Sequence, residues 1–247
     1  MAYARNVGII KTARIKIIMK KNKVFQWIWN FIFKPLIPAI GSDKIQKQYW
    51  RMLWQIRIAK LFGLKRVFIG DSNSAGFAKY SIMKQSKKTT VCLGVGGTLT
   101  TDWIRFFKTR NGFRIYLMIH QLEVIWNIAG NHMLLNEMPS ARMGLKILHQ
   151  SFSASYNCTI TPLNDAILSE FSKLVPGLYK PAEQYHRENL ELNNYIRDEW
   201  KDCTIDLYEW FLSNNSNGAY FLALRDVVHL SDMAMEYILF VLDEIGL

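Results

Sequence analysis

Cysteine is scarce: Cys92, Cys158 and Cys203 are the only three among 247 residues, an odd number with no paired spacing. Each falls in an apolar, strand-like segment, so buried free thiols in a reducing compartment are expected. Cys-x-x-Cys and clustered histidines are absent, which sets a zinc site aside. Long apolar runs are missing too. Spanning a bilayer takes about 20 apolar residues, whereas Val24–Phe33 is ten residues long with Gln26 and Asn30 inside it. A basic start, an apolar middle and Pro38-Ala-Ile-Gly-Ser would suit a signal peptide, but the long basic lead and the polar interruptions weigh against one. The location expected is cytoplasmic, peripheral at a membrane if the N-terminal arm docks there, with secretion left open.

Acids are nearly absent from one end. Residues 1–60 hold 13 lysines and arginines against one acid, Asp43, a net of +12; residues 61–247 hold 18 basic and 19 acidic residues, a net of −1. The formal charge of +11 therefore belongs to the arm. Its residues 24–40 add Trp27, Trp29, Phe31, Phe33 and Leu36. Such a stretch suits the interface of an anionic membrane or packing of its aromatics onto the main domain. Nucleic acid is the weaker partner.

With 50% hydrophobic and 21% charged residues the chain is globular, one domain with an appendage. The division expected is 1–60, a basic arm and a Trp-rich helix, then 61–247. That helix runs from Asp43 to Phe62, capped by Ser42, its stripe of Tyr49, Trp50, Leu53, Trp54 and Ile58 read as core.

Residues 66–76 are the centre of the reading. Val67, Phe68 and Ile69 form a short β-favouring run that stops at Gly70. Asp71, Ser72, Asn73 and Ser74 follow, and Ala75–Met83 is helical in spacing. A strand ending in a turn that opens a helix places Ser72 at the carboxyl edge of a sheet. The same residues are ordinary capping and turn chemistry, and Ser74 departs from the Gly-x-Ser-x-Gly elbow. Thr89–Leu93 is a second strand, ending in Gly94-Val-Gly-Gly97-Thr, which matches neither a dinucleotide loop nor a P-loop. Thr100–Lys108 is a helix, and 111–122 is helix or strand. Leu122–Ile128 is a third strand, ending in Ala129-Gly130-Asn131-His132. Met138–Ser151 is a helix, Cys158–Thr161 a strand, 163–183 a surface loop or lid, Gln184–Trp200 a polar helix and Cys203–Leu207 a strand. Asp226-Val-Val-His229 then precedes a helix over Asp232–Ile245. Strands alternating with helices imply an α/β fold with a parallel sheet covered on both faces.

These parts suit acyl transfer. A serine hydroxyl needs a base, and His229 suits that task near neutral pH. Asp226 supplies the acceptor that orients it. The amides of Ser72 and Gly97 and the side chain of Asn131 are the oxyanion donors; losing one such donor costs about 3–4 kcal/mol.

In order and spacing, Gly70-Asp71-Ser72-Asn73-Ser74, Gly94-Val-Gly-Gly97-Thr, Gly130-Asn131 and Asp226-Val-Val-His229-Leu-Ser together resemble the blocks of the SGNH hydrolases, or GDSL-type esterases and lipases. The resemblance covers residues 64–247. The Trp-rich helix is similar to that of members related to platelet-activating-factor acetylhydrolases. The resemblance implies a three-layer α/β/α sandwich with five parallel strands in flavodoxin-like order, and a serine esterase working through an acyl-Ser72 intermediate without metal or organic cofactor. Its substrate would be a small-molecule, lipid or carbohydrate ester. An acyltransferase of the same fold and a non-catalytic protein docking on anionic surfaces through residues 1–40 are the alternatives. Two positions depart from the family: His132, where Asp is usual, and Val227, where Gly is frequent. His132 is expected in a turn role or against substrate; His120, His149 and His186 read as structural.

Overall fold

In the computed structural model, which describes residues 43–72, 74–75, 89–162 and 180–213, the short run read as the first strand is β1 (Arg66–Gly70), buried along its whole length. It is flanked on one side by β2 (Thr90–Cys92) and on the other by β3 (Glu123–Asn127), both parallel to it. β4 (Ala154–Cys158) and β5 (Thr204–Ile205) extend the sheet beyond β3. The five strands are all parallel, in the order β2-β1-β3-β4-β5, the flavodoxin-like order of a doubly wound α/β fold. Arg66 pairs in register with Glu123, and its Nε donates to the Glu123 carboxylate at 3.0 Å, which balances the charge at the buried strand's start. The expected arm over 1–40, the Ser42 cap, the Ala75–Met83 helix, most of the 163–183 loop and the last helix lie outside the described residues.

Alternation along each strand sends side chains to opposite faces. Val67, Ile69, Val124 and Trp126 join one large cluster, while Phe68, Cys92 and Ile125 are fully buried on the other face. Helices α1 (Asp43–Lys47) and α2 (Tyr49–Leu61) bring Ile45, Tyr49, Met52 and Ile56 to that cluster. α3 (Thr100–Phe107) and α4 (Arg110–Ile119) bring Trp103, Phe106, Phe107 and Tyr116. Phe107, Tyr116, Trp126 and Phe152 then meet edge to face, an arrangement that aromatic quadrupoles favour. After β3 come a short α5 (Gly130–Leu134) and α6 (Met138–Gln150). α7 (Ala182–Trp200) precedes β5, and α8 (Leu207–Ser213) follows it.

The structure differs from the sequence reading in four places. The 43–62 segment is two helices with a turn at Gln48, and Trp50, Trp54 and Ile58 face outward, 66%, 58% and 51% exposed, so only part of the stripe is core. Of residues 111–122, open between helix and strand in the sequence, 111–119 are helix and 120–122 a turn, with Gly112 N donating to Thr109 Oγ1 at the helix start (3.0 Å). β4 lies earlier than Cys158–Thr161 because its polar residues have assigned tasks: Ser155 Oγ accepts from Trp126 Nε1 (3.1 Å) and Asn157 Nδ2 meets His149 Nδ1 (2.7 Å). β5 is two residues long, and Cys203 sits half-buried in the 3-10 turn (Lys201–Cys203) before it. Cys92 and Cys158 are buried free thiols as expected, and burial pushes the Cys158 thiol well up, out of reactive range.

Candidate active site

In the order β2-β1-β3 the chain's connections run one way from β1 and the other way into β3, so the crevice between the carboxyl ends of β1 and β3 is the topological switch point. Gly70 ends β1 there, and its place is fixed by contact. A Cβ would stand 1.9 Å from the Asn127 carbonyl oxygen and 2.3 Å from Ser74 Oγ, closer than atoms can approach. The absence of a side chain lets the turn fold onto the end of β3, where Ser74 Oγ donates to the Asn127 carbonyl at 3.3 Å. Asp71 is buried and its carbonyl accepts from Ala75 N–H at 2.9 Å, so the chain turns helical at once. Ser72 is held partly exposed in that first turn.

The glycine turn after β2 is fitted against it. A Cβ on Gly94 would strike the Ser74–Ala75 peptide at 1.9 Å, and one on Gly96 would lie 3.7 Å from Ser72 Cβ. Gly97 follows at φ 67°, in the left-handed region. α1 and α2 hold this turn from outside. Arg51 donates to the Gly94 carbonyl at 2.9 Å and Lys44 reaches the Gly97 carbonyl at 3.5 Å. Partial burial lowers the Arg51 pKa, and a guanidinium remains a cation in proteins. From within, Thr98 Oγ1 donates to the Val95 carbonyl (2.8 Å) and accepts from Trp103 Nε1 (3.3 Å).

β3 leaves through Ala129, a non-glycine residue at φ 112°. Backbone in that region costs about 1–3 kcal/mol, and it collects where geometry is imposed by function. Two residues on, Asn131 Nδ2 donates to the Thr98 carbonyl at 3.0 Å, which aims the side chain at the glycine turn. An amide carries two N–H bonds, and among the described residues Asn131 Nδ2 makes this one hydrogen bond. His132 turns inward and is fully buried. Its Nε2 accepts from Thr100 N–H at 3.0 Å and lies 2.8 Å from Thr100 Oγ1. The acceptor role of Nε2 puts the neutral ring's proton on Nδ1, 3.6 Å from a Glu137 carboxylate oxygen. Burial lowers the His132 pKa to about 4, so the ring is neutral at physiological pH. This is a joint between α5 and the start of α3.

The β4 and β5 ends are held by side chains. Asn193 closes a two-way clamp on Ile160, accepting from its N–H at 2.7 Å and donating to its carbonyl at 2.9 Å. Asn189 donates to the Thr161 carbonyl at 3.0 Å. Lys180, buried, donates to the Met133 carbonyl at 2.8 Å and to Glu188. Asp206, just past β5, accepts from the Arg197 fork, from Thr159 Oγ1 at 3.0 Å and from Glu209 N–H at 3.1 Å. Arg197 and these donors hold its carboxyl below the usual range, against the upward pull of burial.

Of the residues singled out from sequence, Ser72, Gly97 and Asn131 follow three neighbouring strands at one sheet edge. Asp226 and His229 lie outside the described residues. Among the described residues no group of histidines, cysteines and acids is placed to hold a metal ion. The sequence reading missed Arg51 and Lys44, which carry no spacing signal of their own, and the Asn189–Asn193 pair, whose i, i+4 spacing on a polar helix marks a shared face.

No family model matches the chain, and no curated protein matches it. Solved structures do. A candidate platelet activating factor from Streptococcus pneumonia aligns over 89% of this chain and 96% of its own, with TM-score 0.51 and 15% identity. Axe2, an acetylxylan esterase from Geobacillus stearothermophilus, aligns over 75% of this chain and 95% of its own, with TM-score 0.50 and 13% identity. A member of the lipolytic protein G-D-S-L family from Veillonella parvula aligns at TM-score 0.48 and 12% identity, over 73% of this chain and 97% of its own. Identities this low speak to architecture alone: with the parallel sheet order already described, the first two alignments show that this chain shares the α/β fold of those two proteins.

Proposed function

We propose that this chain is a serine hydrolase of the SGNH type that cleaves a carboxylic ester through an acyl-Ser72 intermediate. The supporting observation is the crowding of Ser72, the Gly96–Gly97 turn and the Asn131 amide at the switch point of the sheet. In the proposed reaction Ser72 Oγ attacks the ester carbonyl while His229 takes its proton and Asp226 holds the imidazolium. The carbonyl oxygen gains the negative charge, which the Ser72 and Gly97 amides and the second Asn131 side-chain N–H stabilise. The alcohol leaves with the proton from His229. Water, deprotonated by the same histidine, then attacks the acyl carbon, and the imidazolium returns that proton to Ser72 Oγ as the acyl–oxygen bond breaks and the acid leaves. No metal or organic cofactor takes part in these steps. The named activity of Axe2 makes acetyl esters the first substrates to try.

A fluorophosphonate probe followed by peptide mapping tests the assignment. The expected adduct is on Ser72, with Ser72→Ala lowering turnover of a chromogenic acetyl ester by about 10⁴-fold or more. An adduct on another serine, or turnover unchanged in Ser72→Ala, overturns it.

A further inference from the structure

The two sides of α2 divide the helix. Side chains about 100° apart per residue put Met52, Leu53, Ile56 and Ala59 on the buried side. Trp50, Trp54, Ile58 and Leu61, at spacings of four, four and three, fall together on the opposite side, with Leu61 83% exposed. Single exposed apolar residues need no explanation, but a continuous stripe with two tryptophans marks an interaction surface.

We propose that this outer face of α2 docks on an anionic lipid surface. Cations accompany the stripe in the same segment: Lys47, Arg57, Lys60 and Lys65 are all exposed, and the Arg57 guanidinium lies 6.0 Å from the Trp54 ring centroid. Residues 43–65 carry six lysines and arginines against Asp43 alone, five of the six being part of the basic 1–60 region. Tryptophan among cations suits the headgroup boundary, where the ring sits half in the apolar layer and the ammonium and guanidinium groups meet lipid phosphates. A two-fold pairing of the same face with a second copy would bring these like charges together. Among the described residues no helix is long and apolar enough to cross a membrane, so the contact is a surface one. α2 also carries Arg51, the residue on the Gly94 carbonyl. A bilayer on the outer face therefore lies about one helix diameter, ~10 Å, from the glycine turn. The inference does not depend on ester cleavage, and its test is read without turnover.

The test is co-sedimentation of the full chain with vesicles of phosphatidylglycerol and phosphatidylcholine, against phosphatidylcholine alone. Binding to the anionic vesicles is expected, weakening as salt rises. In the full chain, Trp50→Ser/Trp54→Ser/Leu61→Ser should weaken it about tenfold or more, with far-UV circular dichroism and the thermal transition unchanged. A nitrobenzoxadiazole probe at Leu61→Cys, with Cys203→Ser to remove the half-buried thiol, should shift to the blue on anionic vesicles and be quenched by brominated acyl chains. This second readout holds even if the triple variant folds poorly. Equal binding to neutral vesicles, a silent probe, or unchanged affinity in the folded triple variant overturns the proposal. The last result would place binding on residues 1–40. A wild-type dimer that the triple substitution splits, with vesicle binding unaltered, gives the face to a second copy and equally overturns it.

Discussion

Where β1, β2 and β3 leave the sheet, main chain lies against main chain; where β4 and β5 leave it, side chains do the holding. On the first side Gly70 and Gly94 press against Asn127 and the Ser74–Ala75 peptide with no room for a methyl group. On the second, Asn189, Asn193, Asp206 and Arg197 span the gaps with amides, a carboxylate and a guanidinium. Bringing backbone close leaves amides and one hydroxyl at the surface, which is what a ligand needs. Side-chain clamps use up their own polar groups, and what they supply is position.

The largest effect should come from filling the tight side. Gly70→Ala puts a methyl group against a backbone carbonyl that cannot rotate away, and a loss of about 3 kcal/mol or more, or failure to fold, is expected. Soluble yield and urea unfolding measure it; a stable Gly70→Ala protein would show that the edge is looser than described. Asn131→Ala should separate chemistry from folding. Turnover of an acetyl ester is expected to fall about 10²–10³-fold, or 3–4 kcal/mol, with the urea midpoint little changed. Asn193→Ala should do the reverse. It strands the Ile160 N–H and carbonyl in a buried place and should cost about 3 kcal/mol of stability.

His132 lies at the boundary between the two kinds of holding. Its folded pKa of about 4 lies below the ordinary 6.5, so between those values the unfolded chain binds more protons. Stability should therefore fall as pH drops from 6.5 toward 4, by on the order of 2 kcal/mol, and level off below. His132→Gln should lose that part of the slope in pH-resolved urea melts. The smallest effect is expected at Ala129→Gly, which relieves φ 112° while loosening the unfolded chain. A net gain below about 1 kcal/mol, with slower ester turnover as Asn131 loses its fixed approach, would tie that strain to the site.

Much of the tight side was legible because glycine and turn chemistry are local: Gly70-Asp71-Ser72, the Gly94–Gly97 turn and Gly130-Asn131 mark strand ends without knowledge of their partners. The clamped side was not. β4 reads Ala-Ser-Tyr-Asn-Cys, and its place in the sheet depends on Trp126 Nε1 donating to Ser155 and on His149 meeting Asn157. Nor can helical spacing choose between two apolar faces of one helix. Tyr49, Trp50, Leu53, Trp54 and Ile58 looked like a single stripe, yet the core takes Tyr49 and Leu53 and leaves the other three outside.

Helix α7 grips the chain just before residue 163, through Asn189 and Asn193, and again just after residue 179, through Lys180 and Glu188. The strand exit at Ile160 and Thr161 and the entry to the helix at Lys180 are thus set by one rigid element, so a shift of α7 would carry them together, and Met133 with them through Lys180.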